Sequence, residues 1–181
     1  MYDKILVAID RSETSRQVFM KALSVAKADG ATLILLHVLS KEESTSPFMS
    51  DYMSAKKRCI HVPPETMRHA KEVYRKEWVE FEQQGIEILR SYAKKAISAG
   101  VKTEFTQITG HPSSTICEFA RSCDADLITI GRRGRSGLQE MLLGSVSNYV
   151  VHHAPCSILL VQTPVVQESA SANEIGNAVY V

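Results

Sequence analysis

The chain has 181 residues, of which 44% are hydrophobic, and its formal net charge at pH 7 is +1. This length suits a single domain with a sizeable core, and the near-zero charge excludes a global field that would attract nucleic acid or a membrane. We therefore expect neither nucleic acid nor a membrane as a partner, and any preference for anions must be local.

The spacing of cysteine and histidine indicates neither a disulfide framework nor a metal site. No C-x-x-C pair occurs among the four cysteines, which are Cys59, Cys117, Cys123 and Cys156. We expect reduced thiols and no metal held by side chains. The first strand-like run begins within a few residues of Met1, and no apolar run is long enough to span a bilayer, which favours a cytoplasmic location.

Strand-like and helix-like patterns alternate along the chain. Short apolar runs rich in β-branched residues predict strands, and apolar residues at helical spacing predict helices. In chain order, the predicted elements are a strand at Lys4 to Ile9, a helix at Ser12 to Ala28, a strand at Thr32 to Val38, a helix at Pro64 to Ser98, an edge strand at Lys102 to Ile108, a helix at Pro112 to Cys123, a strand at Asp126 to Ile130, a helix at Ser145 to His153 and a strand at Ser157 to Gln162. Gly30 is expected to end the first helix, and Gly85 is a candidate interruption of the second.

Five strands alternating with four helices predict an α/β fold, with a doubly wound parallel sheet and helices on both faces. Short connections favour a sheet whose strand order reverses between the first and fourth strands. Ligands of such sheets bind outside the carboxyl ends of the strands at that switch point. Asp10 ends the first strand and Gly131 follows the fourth, so we expect these residues to face each other across one crevice.

A glycine-containing segment joins the fourth strand to the fourth helix. Gly131 and Gly134 are followed by Gly144 and Ser145, with nine residues between Gly134 and Gly144. Glycines let the backbone turn sharply and let a ligand approach its N–H groups closely. Ser145 fits an N-cap, and its hydroxyl, Ser147 and the free N–H groups of the first turn are expected to face outward.

The start of this fourth helix is a candidate anion site, because unpaired N–H groups and the positive end of the helix dipole attract negative charge. Three arginines lie nearby in the sequence, at Arg132, Arg133 and Arg135. The alternative is a surface loop whose arginines are only solvated. The sequence contains neither G-x-G-x-x-G after the first strand nor G-x-x-x-x-G-K-[ST], which excludes an ordinary NAD enzyme and a P-loop NTPase.

The spacing G-x2-G-x9-G-[ST] is the nucleotide-binding pattern of the universal stress protein family, and the chain resembles the ATP-binding branch of that family. The run from Asp3 to Glu13 resembles the first strand and turn of the family, and Leu35-Leu36-His37-Val38 resembles its second strand. The resemblance implies an adenine nucleotide alpha hydrolase-like domain over residues 1–163, with strand order 3-2-1-4-5 and an irregular insertion at about 41–64. Residues 164–181 are expected to form a flexible tail.

The same resemblance implies a site for ATP, or for ADP or AMP, with Mg2+ carried on the phosphates. Main-chain groups of Ala8 and Val38 would border the adenine. Asp10 would contact the adenine or ribose or help to hold the metal, and its alternative role is an N-cap of the first helix, for which Ser12 competes. The ribose and phosphates would be lined by Gly131, Arg133, Gly134, Gly144, Ser145, Val146 and Ser147.

Three functions follow as alternatives. The first is an ATP-binding stress-response protein with slow or no hydrolysis, because only Asp10 and Glu140 are candidate bases. The second is an interaction protein of the same fold that binds no nucleotide. The third is a slow ATPase or an autophosphorylating protein, with Ser145 or Ser147 as the acceptor. The resemblance also implies a homodimer formed through the fifth strand, Ser157 to Val161, whereas His37 is expected to be a core residue.

Overall fold

The computed structural model describes residues 1–41, 64–132 and 143–162. The predictions for the insertion, for Arg133 and Gly134, and for the C-terminal tail lie outside these residues. In chain order the elements are β1 Lys4–Ala8, α1 Thr14–Asp29, β2 Thr32–Leu39, α2 Pro64–Ser98, β3 Thr103–Thr109, α3 Pro112–Ser122, β4 Leu127–Gly131, α4 Ser145–His153 and β5 Ser157–Val161. Every predicted element is present, and most of the ends differ from the prediction by one or two residues.

The five strands form one parallel sheet with the order β3-β2-β1-β4-β5, which confirms the predicted fold. β1 lies in the centre, where Val7 is flanked by Leu35 of β2 and Thr129 of β4. The chain therefore leaves β1 and β4 in adjacent positions at the carboxyl edge of the sheet. This is the switch point at which ligands of such sheets bind.

Helices cover both faces of the sheet because the central strands are apolar on both sides. Ile5 and Val7 of β1 face α1 and α2. They form one apolar cluster with Phe19 of α1 and Leu89 of α2. Leu6 faces the opposite layer, which is formed by α3 and α4. Two apolar clusters of this kind hold the sheet between two helical layers. No helix in the described part of the chain is long and apolar enough to cross a membrane.

The predicted interruption of α2 at Gly85 is wrong, since α2 is continuous from Pro64 to Ser98. Gly85 is buried where α2 presses against the sheet, and a Cβ there would lie 2.7 Å from His37 Nδ1. Glycine is required at this position for close packing and not for a break in the helix.

The two halves of α2 differ in burial. All of its buried residues lie between Phe81 and Ala96, which pack against the sheet. We call Pro64–Glu80 the projecting half, because none of its residues is buried. α2 follows β2 and runs antiparallel to it, so the projecting half extends beyond the carboxyl edge of the sheet.

Three of the four cysteines lie in the described residues, and all three are free: Cys117, Cys123 and Cys156. Burial raises the pKa of each of these thiols. They pack in or against the apolar cluster on the α3 and α4 side of the sheet. The thiols therefore act in the fold as small apolar groups.

Candidate functional site

Three of the predicted nucleotide contacts converge at the carboxyl edge of the sheet. Ala8 ends β1, Val38 lies near the end of β2, and Val146 lies in the first turn of α4. All three are partly buried and pack against the same apolar cluster. The fold therefore places residues from three separate segments against one apolar cluster.

Asp10 organises the turn between β1 and α1. Its Oδ1 atom accepts hydrogen bonds from Ser12 N–H at 3.0 Å, from Ser12 Oγ at 2.5 Å and from Ser15 Oγ at 2.6 Å. Ser15 Oγ in turn accepts the N–H of Asp10 at 2.9 Å. The helix begins at Thr14, two residues later than predicted, because Asp10 and Ser12 belong to this turn.

The N-cap role considered for Asp10 and for Ser12 is wrong, since Glu13 is the N-cap of α1 and no side chain caps this helix. Asp10 instead holds the preceding turn, and it uses one carboxylate oxygen for this. In the described residues no hydrogen bond reaches Oδ2 of Asp10. Ser15, which the sequence did not single out, is the buried partner of Oδ1. Its position five residues after Asp10 is the only sequence signal that could have indicated it.

On the other side of the crevice, hydrogen bonds join the two ends of the segment between β4 and α4. The N–H of Gly144 donates to the carbonyl of Arg132 at 3.0 Å, and Ser147 Oγ donates to the same carbonyl at 2.8 Å. The N–H of Arg132 donates to the carbonyl of Val161, which anchors this point to β5. Gly131 and Gly144 are thereby held near each other although the sequence separates them.

The predicted N-cap at Ser145 is wrong. Gly144 is the N-cap of α4, Ser145 is the first helical residue, and no side chain caps this helix. The outward orientation predicted for Ser147 is also wrong, since its side chain is 1% exposed and its hydroxyl donates to Arg132 and Gly144 carbonyls. Ser145 itself is exposed.

The first turn of α4 presents backbone donors. The N–H of Asn148 donates to Gly144 at 2.8 Å, which begins the helical hydrogen bonds. In contrast, the N–H groups of Ser145, Val146 and Ser147 have no hydrogen bond among the described residues. Donors of this kind at the positive end of a helix are suited to bind an anion, and Ser145 is the exposed residue of the three.

Two arginines beside the crevice have their guanidinium groups turned elsewhere. Arg132 Nη1 donates to Gln162 Oε1 at 2.6 Å. Arg11, which follows Asp10, donates from Nη2 to the carbonyl of Phe81 at 2.6 Å and stacks on the Phe81 ring. No local sequence pattern indicates this contact, because Arg11 and Phe81 are far apart in the chain.

The prediction that His37 is a core residue is confirmed. Its side chain is 1% exposed, and Nδ1 lies 2.9 Å from Gln107 Oε1. Because an amide oxygen only accepts hydrogen bonds, Nδ1 donates in this pair. Among the described residues, no group of three potential metal ligands from His, Cys, Asp and Glu is placed to hold a metal ion.

Comparison with known proteins identifies the family of this chain. The model of the universal stress protein family matches residues 1–162. Universal stress protein Sll1388 of Synechocystis sp. is 33% identical over 162 residues, which cover 89% of this chain and 98% of that protein. Universal stress protein YxiE of Bacillus subtilis is also 33% identical over 162 residues, covering 90% of this chain and 100% of that protein.

Solved structures share the fold. Universal stress protein UspA from Lactobacillus plantarum superposes with a TM-score of 0.60 at 22% identity, covering 88% of this chain and 97% of its own. A universal stress protein in complex with cAMP gives 0.57 at 22% identity, with coverages of 89% and 97%. An Arabidopsis thaliana family member with AMP bound gives 0.56 at 20% identity, with coverages of 93% and 97%. The match of the family model and the two relatives show that this chain belongs to the universal stress protein family.

Proposed function

We propose that this protein binds an adenine nucleotide in the crevice between the carboxyl ends of β1 and β4. The observation that carries the proposal is the first turn of α4, where the N–H groups of Ser145, Val146 and Ser147 have no hydrogen bond among the described residues. Phosphate groups would accept these donors, as anions do at helix N-termini. The cAMP and AMP bound by two proteins of the same fold support the choice of an adenine nucleotide.

The residues around this turn fit a phosphate. Gly144 precedes the open donors in an extended conformation and has no side chain that would block a phosphate. Ser145 is exposed, so its hydroxyl is accessible to the same ligand. Gly131, Gly134 and Arg133 complete the motif that the sequence predicts to line the ribose and phosphates.

The β1 side would contact the remainder of the nucleotide. Backbone groups of Ala8 and Val38 would border the adenine, and both residues lie at the carboxyl edge of the sheet. Asp10 would offer Oδ2 to a ribose hydroxyl or to water on a magnesium ion, while Oδ1 holds the turn. A Mg2+ ion carried on the phosphates would neutralise part of their charge.

We further propose that ATP hydrolysis is slow or absent. Turnover requires a group that orients water and cations that stabilise the developing charge. Asp10 uses one oxygen to hold its turn, and the guanidinium groups of Arg11 and Arg132 bond to other elements. If autophosphorylation occurs, exposed Ser145 is a better acceptor than buried Ser147.

Nucleotide content and affinity test the proposal directly. Acid extraction of the purified protein followed by chromatography would identify any bound nucleotide, and calorimetric titration of ATP with and without Mg2+ would measure its affinity. We expect bound adenine nucleotide or micromolar affinity, and we expect Gly134→Val to abolish binding because a side chain there would block the phosphates. No nucleotide and no heat would instead favour the second function, an interaction protein that binds no nucleotide.

Two other properties implied by the family remain proposals. β5 is an edge strand with Leu160 exposed, and an unpaired edge can pair with β5 of a second copy. Sedimentation at micromolar concentration should give a dimer, and a monomer would contradict this. We also propose a cytoplasmic location.

A further inference from the structure

Two consecutive carbonyl groups of α2 accept hydrogen bonds from two side chains, one in the β1–α1 turn and one in β3. Arg11 Nη2 donates to the carbonyl of Phe81 at 2.6 Å, and Gln107 Nε2 donates to the carbonyl of Glu82 at 3.2 Å. Arg11 also donates from Nη1 to Gln84 Oε1 at 3.0 Å, and its guanidinium carbon lies 4.1 Å from the centre of the Phe81 ring. These contacts fix the turn at which α2 leaves the sheet.

We call this turn, Phe81–Gly85, the junction turn. Its last residue, Gly85, has no side chain, which allows α2 to approach the His37 ring so closely that a Cβ would lie 2.7 Å from Nδ1. The junction turn is therefore held by hydrogen bonds, by an aromatic stack and by close backbone packing. A shift of the groups that hold it must either move the turn or break these contacts.

The side chains that hold the junction turn are linked to the proposed nucleotide contacts, one as a chain neighbour and the other through a hydrogen bond. Arg11 directly follows Asp10, whose carboxylate organises the β1–α1 turn. Gln107 Oε1 accepts a hydrogen bond from His37 Nδ1, and His37 directly precedes Val38. The ends of β1 and β2 are thus both connected to the same turn of α2, through chain neighbours and hydrogen bonds.

Beyond the junction turn, a row of aromatic rings follows the projecting half. The centre of the Trp78 ring lies 5.6 Å from that of Phe81, and the centre of the Tyr74 ring lies 6.1 Å from that of Trp78. Trp78 is the only tryptophan in the chain. Its fluorescence therefore reports on the projecting half, one helical turn from the ring on which Arg11 stacks.

We propose that the junction turn couples the nucleotide site to the projecting half of α2, so that nucleotide binding changes the environment and position of this half. Arg11 is the positioning residue that transmits the change. The inference rests on the proposed nucleotide binding. Because coupling between two sites is reciprocal, a ligand that bound the projecting half would change the nucleotide affinity by the same factor.

The test combines ATP calorimetry with the emission of Trp78. In the wild-type protein, ATP should change the intensity or wavelength of the emission with the midpoint that calorimetry gives. Arg11→Lys keeps the charge but loses the planar fork that joins Phe81 and Gln84 and the stacking on Phe81. We expect this variant to lose the emission change and to bind ATP roughly fivefold more weakly.

Arg90→Lys is the matched control, because Arg90 is an exposed arginine on the same helix. It should keep both the emission change and the affinity. Should Arg11→Lys fail to fold, Gln84→Ala removes only one acceptor of the fork, and it should reduce the emission change without abolishing it. A purely structural role of Arg11 would lower the melting temperature and leave the amplitude of the emission change per bound ATP intact.

The outcomes separate the two proposals. No heat of ATP binding in the wild-type protein would refute the proposed function, and the coupling with it. Heat of binding without an emission change would refute the coupling alone. The coupling is also refuted if Arg11→Lys keeps the full emission change and affinity, since Trp78 would then report the ligand without Arg11.

Discussion

The two helices that flank the crevice begin in different ways. At the start of α1, Ser15 and Arg16 donate their N–H groups to the carbonyls of Ser12 and Glu13, and Asp10 accepts the N–H of Ser12 and the hydroxyls of Ser12 and Ser15. At the start of α4, the first-turn N–H groups from Ser145 to Ser147 have no hydrogen bond in the described chain. Two first-turn N–H groups of α1 thus find acceptors in the preceding turn, whereas three of α4 find none among the described residues.

The same contrast holds between two buried hydroxyl groups. Ser15 is 3% exposed, and its hydroxyl both donates to Asp10 and accepts from it. Thr129 of β4 is fully buried, and its hydroxyl has no hydrogen-bond partner in the part of the chain that the structure describes. The buried hydroxyl on the β1 side is therefore part of a hydrogen-bond network, whereas the one on the β4 side has no partner among the described residues.

The largest expected effect is on the β1 side, where Asp10→Ala removes the acceptor of three hydrogen bonds. We expect the free energy of unfolding to fall by about 2 kcal/mol, because buried Ser15 loses a charged partner. Urea denaturation measures the loss. The matched variant on the other side is Ser145→Ala, which removes an exposed hydroxyl that caps nothing and should change stability by less than about 0.5 kcal/mol. Equal losses would break the comparison.

On the β4 side, Ser145→Pro should affect the ligand and not the fold. Proline removes one of the three open N–H groups, is favoured at the first helical position, and accepts the extended conformation of Gly144 before it. We expect ATP affinity to fall about tenfold, equivalent to about 1.4 kcal/mol. Calorimetry measures this, with Ser145→Ala as the control that loses the hydroxyl and keeps the N–H. Unchanged affinity in Ser145→Pro would mean that this donor does not contact phosphate.

Within the sheet, Thr129→Val should stabilise the protein. The substitution keeps the β-branched shape and removes a buried hydroxyl that has no partner in the described residues, which should raise the free energy of unfolding by about 1 kcal/mol. Thr103→Val is the control, because Thr103 Oγ1 donates to the carbonyl of Val101 at 3.0 Å. Thermal and urea denaturation should show a gain for the first variant and none for the second. A loss at Thr129 would show that its hydroxyl has a partner after all.

The smallest effect is expected at the opposite, amino edge of the same two strands, where a carboxylate and two backbone N–H groups are hydrogen-bonded to each other. Asp126 Oδ2 accepts the N–H groups of Asp3 and Lys4, each at 2.9 Å, and these hydrogen bonds lower the pKa of Asp126 below its ordinary value of 3.8. A lowered pKa stabilises the folded state above that ordinary value, and the stabilisation is lost as the pH falls through the folded value.

Asp126→Asn should therefore reduce the loss of stability on acidification without removing it, since other carboxylates also titrate. Urea denaturation at neutral pH and at about pH 3 gives, for the wild-type protein and for the variant, the free energy of unfolding that is lost on acidification. If wild-type protein and variant lost stability in parallel, the hydrogen bonds to Asp126 would have no measurable effect on its titration.

Local signals made most of the fold predictable. Buried parallel strands have continuous apolar runs, and helices carry stop signals such as Gly30, which adopts φ 72° at the end of α1. The prediction for Gly85 was wrong because a glycine within a helical pattern is locally a sign of interruption. The reason for a glycine at this position is its close contact with His37, which lies far away in the chain. Topology likewise placed Ala8, Val38 and Val146 together, because parallel strands share one carboxyl edge.

The hydrogen-bond detail of the site was not predictable from local pattern. Ser147 fits a solvent-facing helix start by sequence, yet it closes the β4–α4 segment through the carbonyl of Arg132, which is fixed only after β5 is in place. The contact between Arg11 and Phe81 likewise joins residues that only the packing of α2 on the sheet brings together. Such contacts depend on the whole fold, so no window of sequence contains their signal.

The length of the projecting half gives it a mechanical property. Pro64–Glu80 is helical over about 25 Å, and the contacts of Arg11 and Gln107 hold α2 directly after this half, at the carbonyls of Phe81 and Glu82. A rotation of about 10° at that point would displace Pro64 by about 4 Å, so the helix acts as a lever arm. A movement of a few tenths of an ångström among packed side chains would become, at the tip, a displacement large enough to make or remove a contact.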